Sequence, residues 1–82
     1  MTPMQAALFA VVSVVGQTGL ADRLPPKIKQ GHVWNWLYRD KKTPPEYCLE
    51  VAGVARENGV DVTEHDLRSD VFGERPDEAD VA

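Results

Sequence analysis

The apolar positions of this chain recur at the three-and-four spacing of helices, and glycine and proline break them into segments. The first segment starts at Met4 and carries Ala7, Leu8, Val11, Val12 and Val15 on one side. Thr2 offers it an N-cap, Pro3 a first-turn proline and Gly16 an end. Its valines lower intrinsic helix propensity, so burial rather than local preference must hold it. A second short helix is predicted over 17–24, with Leu20, Ala21 and Leu24 inward and the Pro25, Pro26 pair as its stop. In QGHVWNWLYRDKK, over 30–42, Val33, Trp36 and Leu37 form an i, i+3, i+4 stripe, while Gly31, Asn35, Tyr38 and Arg39 gather opposite. Trp34 lies between these two faces, where burial is the commoner fate of a tryptophan. A longer helix is predicted over 44–58. Thr43, Pro44 and Glu46 form a capping-box pattern at its start, and Asn58 and Gly59 form its stop. Cys48, Val51, Ala52 and Ala55 make its inward stripe, which Tyr47, Leu49 and Val54 widen. Val60 to Val62 reads as an extended link, and Thr63 caps a last short helical turn through Asp66. Leu67, Val71 and Phe72 then anchor the end of the domain to the core or to a partner subunit. The stretch GERPDEADVA, over 73–82, is acidic and without period, and is expected to be a flexible tail.

Composition narrows this helical outline. With 43% hydrophobic and 27% charged residues in 82, the chain has the makeup of one ordinary globular domain. The single Cys48 excludes an internal disulfide framework, and with His32 and His65 as the only histidines no zinc motif can be assembled. No cofactor is expected. Residues 4–15 are apolar enough for the core of a secretory signal, yet no Lys or Arg precedes Arg23, and the stretch is too short to span a bilayer. A cytoplasmic protein not associated with a membrane is the expectation.

Charge changes the picture more. The net charge of −4 argues against a nucleic-acid partner until it is divided along the chain. Residues 1–22 carry −1, and residues 43–82 carry −8. Residues 23–42 hold Arg23, Lys27, Lys29, Arg39, Lys41 and Lys42 against Asp40 alone, or +5. Local charge density governs phosphate contact, so the overall acidity does not exclude DNA.

The candidate chemistry lies in the same basic stretch. Asn and Gln amides pair bidentately with adenine, Arg pairs with guanine, and an exposed glycine lets a backbone approach base edges. On its own residues, QGHVWNWLYRDKK fits an ordinary solvated surface helix as well as a DNA-reading one. Its neighbours favour the second reading. The order helix, helix, turn, helix, long helix is that of a helix-turn-helix domain. Gln17, Leu20, Ala21 and Leu24, followed by Val33, Trp36 and Leu37, match positions that recur in phage Cro and repressor motifs. The segment HVWNWLYRDKKTPPEYCLEVA, followed by VTEHDLRSDVF, resembles the YdaS-type, Cro-like family of small prophage regulators, with its VWNWL helix, basic exit and closing LR-x-D-V/I-F element. The likeness covers about residues 17–72. The turn PPKIKQG departs from the pattern, being about two residues longer and carrying Pro25 and Pro26 in place of a glycine, so the register of the following helix depends on how that turn closes.

The resemblance implies an all-α fold: a compact lambda-repressor/Cro-like helix-turn-helix domain of four to five helices over 1–72. It also implies a sequence-specific DNA-binding transcriptional regulator, often a Cro-like repressor in a prophage control region and sometimes described as an antitoxin. Within that reading Gln30, Gly31, Trp34 and Asn35 face base edges in the major groove. Gln17, Lys27, Lys29, His32, Tyr38, Arg39, Lys41 and Lys42 meet the DNA backbone. One recognition helix reads few base pairs, so a homodimer on a two-fold operator is expected, with Leu67 to Phe72 a candidate for its surface. The competing expectation is an antitoxin or anti-regulator that acts by protein–protein binding, with a toxin as partner. An enzyme is not expected, because Cys48 and the two histidines have simpler roles and no phosphate-binding glycine loop is present.

Overall fold

Thr2 caps the first helix as its position predicts: its Oγ1 accepts the Gln5 backbone N–H at 3.1 Å, and α1 runs Pro3–Val15. The computed structural model describes residues 1–74, so the expected tail over 73–82 falls outside the described residues apart from Gly73 and Glu74. Gly16 ends α1 and begins α2, Gln17–Asp22, with no linker between them. Its φ of 79° lies in the left-handed region open to glycine, and its N–H donates to Val12 O at 2.7 Å.

The long turn after α2 closes in two steps. Leu24 N–H donates to Ala21 O at 3.1 Å, and Ile28 N–H then donates to Pro25 O at 2.9 Å, a β-turn with Pro26 at its second position. Ile28 drops into the core from this turn. Lys29 is thereby left as N-cap, and α3 occupies Gln30–Tyr38. The turn thus seats Ile28 as a core plug and starts α3 at Gln30.

Val33, Trp36 and Leu37 are buried as their stripe predicts. The next helix starts later than its capping-box pattern suggests. Pro45 disfavours helical backbone at the residue before it, and Pro44 is accordingly extended, with ψ at 138°. A 3₁₀ turn, Pro45–Tyr47, comes first and α4 spans Cys48–Glu57. Thr43 therefore caps nothing. It is fully buried, and among the described residues its Oγ1 has no hydrogen-bond partner. Cys48, Val51, Ala52, Val54 and Ala55 enter the core, whereas Leu49, expected to widen that face, is 64% exposed.

Asn58 Nδ2 donates to Val54 O at 2.8 Å, and Gly59, at φ 73°, completes the stop. Two one-turn helices follow, α5 Glu64–Leu67 and α6 Ser69–Phe72, one more helix than periodicity reveals. The Thr63 backbone N–H donates to the Asp66 carboxylate at 2.9 Å, the reciprocal half of the expected cap. Leu67 is fully buried and Phe72 packs at the margin, but Val71 is 50% exposed and lies outside the core formed by the described residues. All these elements surround one core that includes Leu8, Val11, Leu20, Ala21 and Leu67.

Candidate nucleic-acid interface

Helix α3 packs on both α2 and α1, and each of its ends is fixed by side chains. At its start the Lys29 backbone N–H donates to His32 Nδ1 at 2.9 Å, so the imidazole serves as the reciprocal cap with that nitrogen unprotonated. Gln30 Nε2 donates to Gln17 Oε1, joining the first residue of α2 to the first residue of α3. At its end Gln5 of α1 donates through Nε2 to Leu37 O at 2.7 Å, and Lys42 N–H donates to Trp36 O at 2.9 Å. Carbonyls that a helix end normally leaves orphaned are satisfied by these two donors. Sequence periodicity gives no hint of the Gln5 contact, because its partner is a backbone carbonyl in a distant element.

The residues expected to read bases gather on one surface. Lys29, Gln30, Gly31, His32, Trp34 and Asn35 line an open groove of about 480 Å³. Trp34, which its wheel position suggested would be buried, is 48% exposed. Tyr38 is 45% exposed one turn on, and the two ring centroids lie 5.2 Å apart. Tyr38 thus shares the outward face with Trp34. Asn35 is half-buried, and among the described residues its side-chain amide has no hydrogen-bond partner. A Cβ built on Gly31 would meet nothing within 4 Å, so no neighbour in the chain requires a glycine there.

The residues expected to meet phosphates lie around both ends of α3. Lys27 and Lys29 are exposed before it; Arg39, Lys41 and Lys42 are exposed after it. Lys27 Nζ sits 5.9 Å over the Tyr47 ring, which itself stacks on Trp36 with centroids 5.7 Å apart. Arg39 Nε pairs with Asp40 at 3.2 Å. Lys41 holds φ at 60°, the one non-glycine residue with positive φ among those described. His32 and Gln17 are partly committed to the contacts already given, while their remaining polar atoms stay on the surface.

A second feature outside α3 steadies its exit. Arg68 donates Nε and Nη2 to the two carboxylate oxygens of Asp70, each at 2.8 Å, and Nη1 to Thr43 O at 3.2 Å. This bidentate pair holds the Asp70 carboxyl below the usual carboxylate range and raises Arg68. It ties the chain after α3 to the junction of α5 and α6, which gives the LR-x-D part of the closing motif a structural purpose. Its signal was an arginine and an aspartate two residues apart. Cys48, fully buried in α4, has its thiol pushed up to about 11, chiefly by burial. Such a thiol is a core group and not a nucleophile at neutral pH.

Among the described residues no three His, Cys, Asp or Glu side chains are grouped to hold a metal ion, and no helix is long and apolar enough to cross a membrane. Neither the curated proteins nor the solved structures compared with the chain give a match. A family model described as bacterial toxin YdaS matches residues 8–76. That span holds α2, the long turn, α3 and the Arg68–Asp70 clamp together, and the chain belongs to the bacterial toxin YdaS family.

Proposed function

We propose that this protein is a sequence-specific DNA-binding regulator of the Cro-like repressor type, which acts in the bacterial cytoplasm at the nucleoid, without catalysis, by laying α3 in the major groove. One observation carries the reading. The exposed face of α3 offers Gln30, Gly31, Trp34 and Asn35 to one groove, and cationic side chains stand before and after that helix rather than on it. Polar and apolar groups in the middle suit base edges, and cations at the ends suit the phosphate walls on either side. Two copies on a two-fold symmetric operator supply enough base pairs for specificity. Leu67 is consumed by its own core, so of the apolar residues in the segment proposed for dimerisation Val71 is the exposed one, available to a second copy.

The test uses DNA from upstream of the protein's own gene and a scrambled control, each titrated at several salt concentrations. Five cations on phosphates give a slope of log affinity on log salt of about −4 to −5. Asn35→Ala is expected to remove the preference for the native fragment. Lys42→Ala is expected to weaken both DNAs alike and to flatten the slope by about one. A protein that binds both fragments equally, with neither variant altering the result, would overturn the proposal. The family description, a bacterial toxin, favours a second reading in which the domain acts by binding another protein. Loss of all DNA preference together with capture of a specific toxin or antitoxin partner supports that one.

A further inference from the structure

The outward side of α3 is unusual in what it lacks. From Gln30 to Tyr38 the helix contains no Arg, Lys, Asp or Glu. Guanine is read most often by Arg or Lys at O6 and N7, and the N4 amino group of cytosine is accepted by Asp or Glu. Neither kind of reader is on the helix. Arg39 lies past its last residue and is paired with Asp40. What the helix does present is a free amide at Asn35, a second amide at Gln30, and two half-exposed aromatic rings at Trp34 and Tyr38 that form a continuous ledge. Amides match the N6 and N7 edge of adenine, and apolar surface matches the 5-methyl group of thymine.

We propose that α3 is a reader of A·T base pairs, in which Asn35 takes adenine and the Trp34–Tyr38 ledge packs on a thymine 5-methyl group. The inference rests on the DNA-binding reading above and names the bases that reading leaves open. Trp34 and Asn35 are consecutive and line the same groove of the protein surface, so amide and ring are presented together to neighbouring base pairs of a bound site. Gly31, one turn before Asn35, removes the side chain that would otherwise hold the helix off that floor. The ledge also has a reason to be covered. Aromatic surface left in water gains on burial in proportion to its area, and a thymine methyl offers an apolar contact that a uracil cannot.

The experiment has two stages. Binding sites are first selected from random double-stranded DNA with the full chain. Each thymidine of the selected site is then replaced, one at a time, by deoxyuridine, which keeps the pairing and removes only the methyl. The expected result is a half-site with A·T pairs at the positions sensitive to Asn35→Ala. At one or two positions in it, the missing methyl should weaken wild-type binding by about three- to tenfold. Trp34→Ala should bind the thymidine and deoxyuridine sites alike, and Trp34→Leu, which keeps apolar surface, should retain part of the difference. Circular dichroism checks that both variants remain folded. A selected site dominated by G·C at the Asn35-sensitive positions overturns the inference and leaves the DNA-binding reading standing. So does a site whose affinity no deoxyuridine alters. Selection that yields no site overturns both, and the ledge is then a surface for a protein partner.

Discussion

Thr43 is the residue at which local pattern and three-dimensional placement part company. Thr, Pro and Glu stand at capping-box spacing, yet the second proline forces Pro44 into extended backbone and delays the helix. The rule that decides the matter lies in the proline doublet itself, whose second member overrides the capping motif. The buried hydroxyl is left with no partner among the described residues. Thr43→Val, which replaces that hydroxyl by a methyl of similar shape, should therefore raise stability by about 1 kcal/mol. A capping threonine would give the opposite sign, a loss of about 1 kcal/mol, so urea denaturation distinguishes them. Cys48 supplies a second test at this scale. Its thiol is raised in the folded protein, so the stabilisation it carries is whole below the ordinary thiol range and is lost as pH rises through about 11. Between pH 8 and about 10.5 the native chain should lose on the order of 2 kcal/mol more than Cys48→Ala does. Parallel losses in the two proteins would show that the thiol stays protonated in neither state preferentially. Trp34 is ambiguous on a wheel for a different reason: a wheel gives direction but not what stands opposite, and among the described residues no element covers that side of α3.

At the scale of elements, α1, α2 and α3 were legible because glycine, proline and a threonine cap mark most of their limits and each has a full inward stripe. The one-turn helices α5 and α6 were not, since four residues are too few to establish a period. The core plug at Ile28 was hidden likewise, a single apolar residue inside a basic, proline-rich turn. For α3 the interest lies in a conflict between its own stability and its proposed use. A methyl at Gly31 meets nothing within 4 Å, and alanine is the better helix former, so Gly31→Ala should stabilise the free protein by about 0.5–1 kcal/mol. The same methyl would stand between the helix and a base edge. Thermal unfolding should show the gain, and titration with the selected DNA should show weaker binding by the same variant. A gain in both would mean that the backbone at Gly31 does not approach DNA closely.

Across the whole molecule, the charge division and the fold tell one story. The basic stretch of residues 23–42 surrounds α3, while the acidic residues described from 43 onward lie outside that stretch. Which residues form the candidate surface could be read from the sequence, because amides and apolar positions separate on one helix and the cations stand at its two ends. How that helix is held could not, since its supports come from Gln5 in α1, Gln17 in α2 and Arg68 beyond α5. Gln5 shows the consequence. Gln5→Ala leaves Leu37 O without its donor, which should cost about 0.5–1.5 kcal/mol in chemical denaturation. It should also weaken DNA binding although the residue sits on α1, outside the proposed interface; unchanged affinity at salt concentrations where Asn35→Ala is impaired would separate the pin from recognition. Gly16 carries a further meaning for how such a chain can vary in length. Because one residue both ends α1 and opens α2, an inserted residue there would swing the whole helix-turn-helix unit about α1 and uncouple Gln5 from Leu37. The turn that follows α2 is longer and holds to the core through Ile28. Gains and losses of sequence should therefore collect in that turn across relatives, and the elbow at Gly16 should keep a constant length.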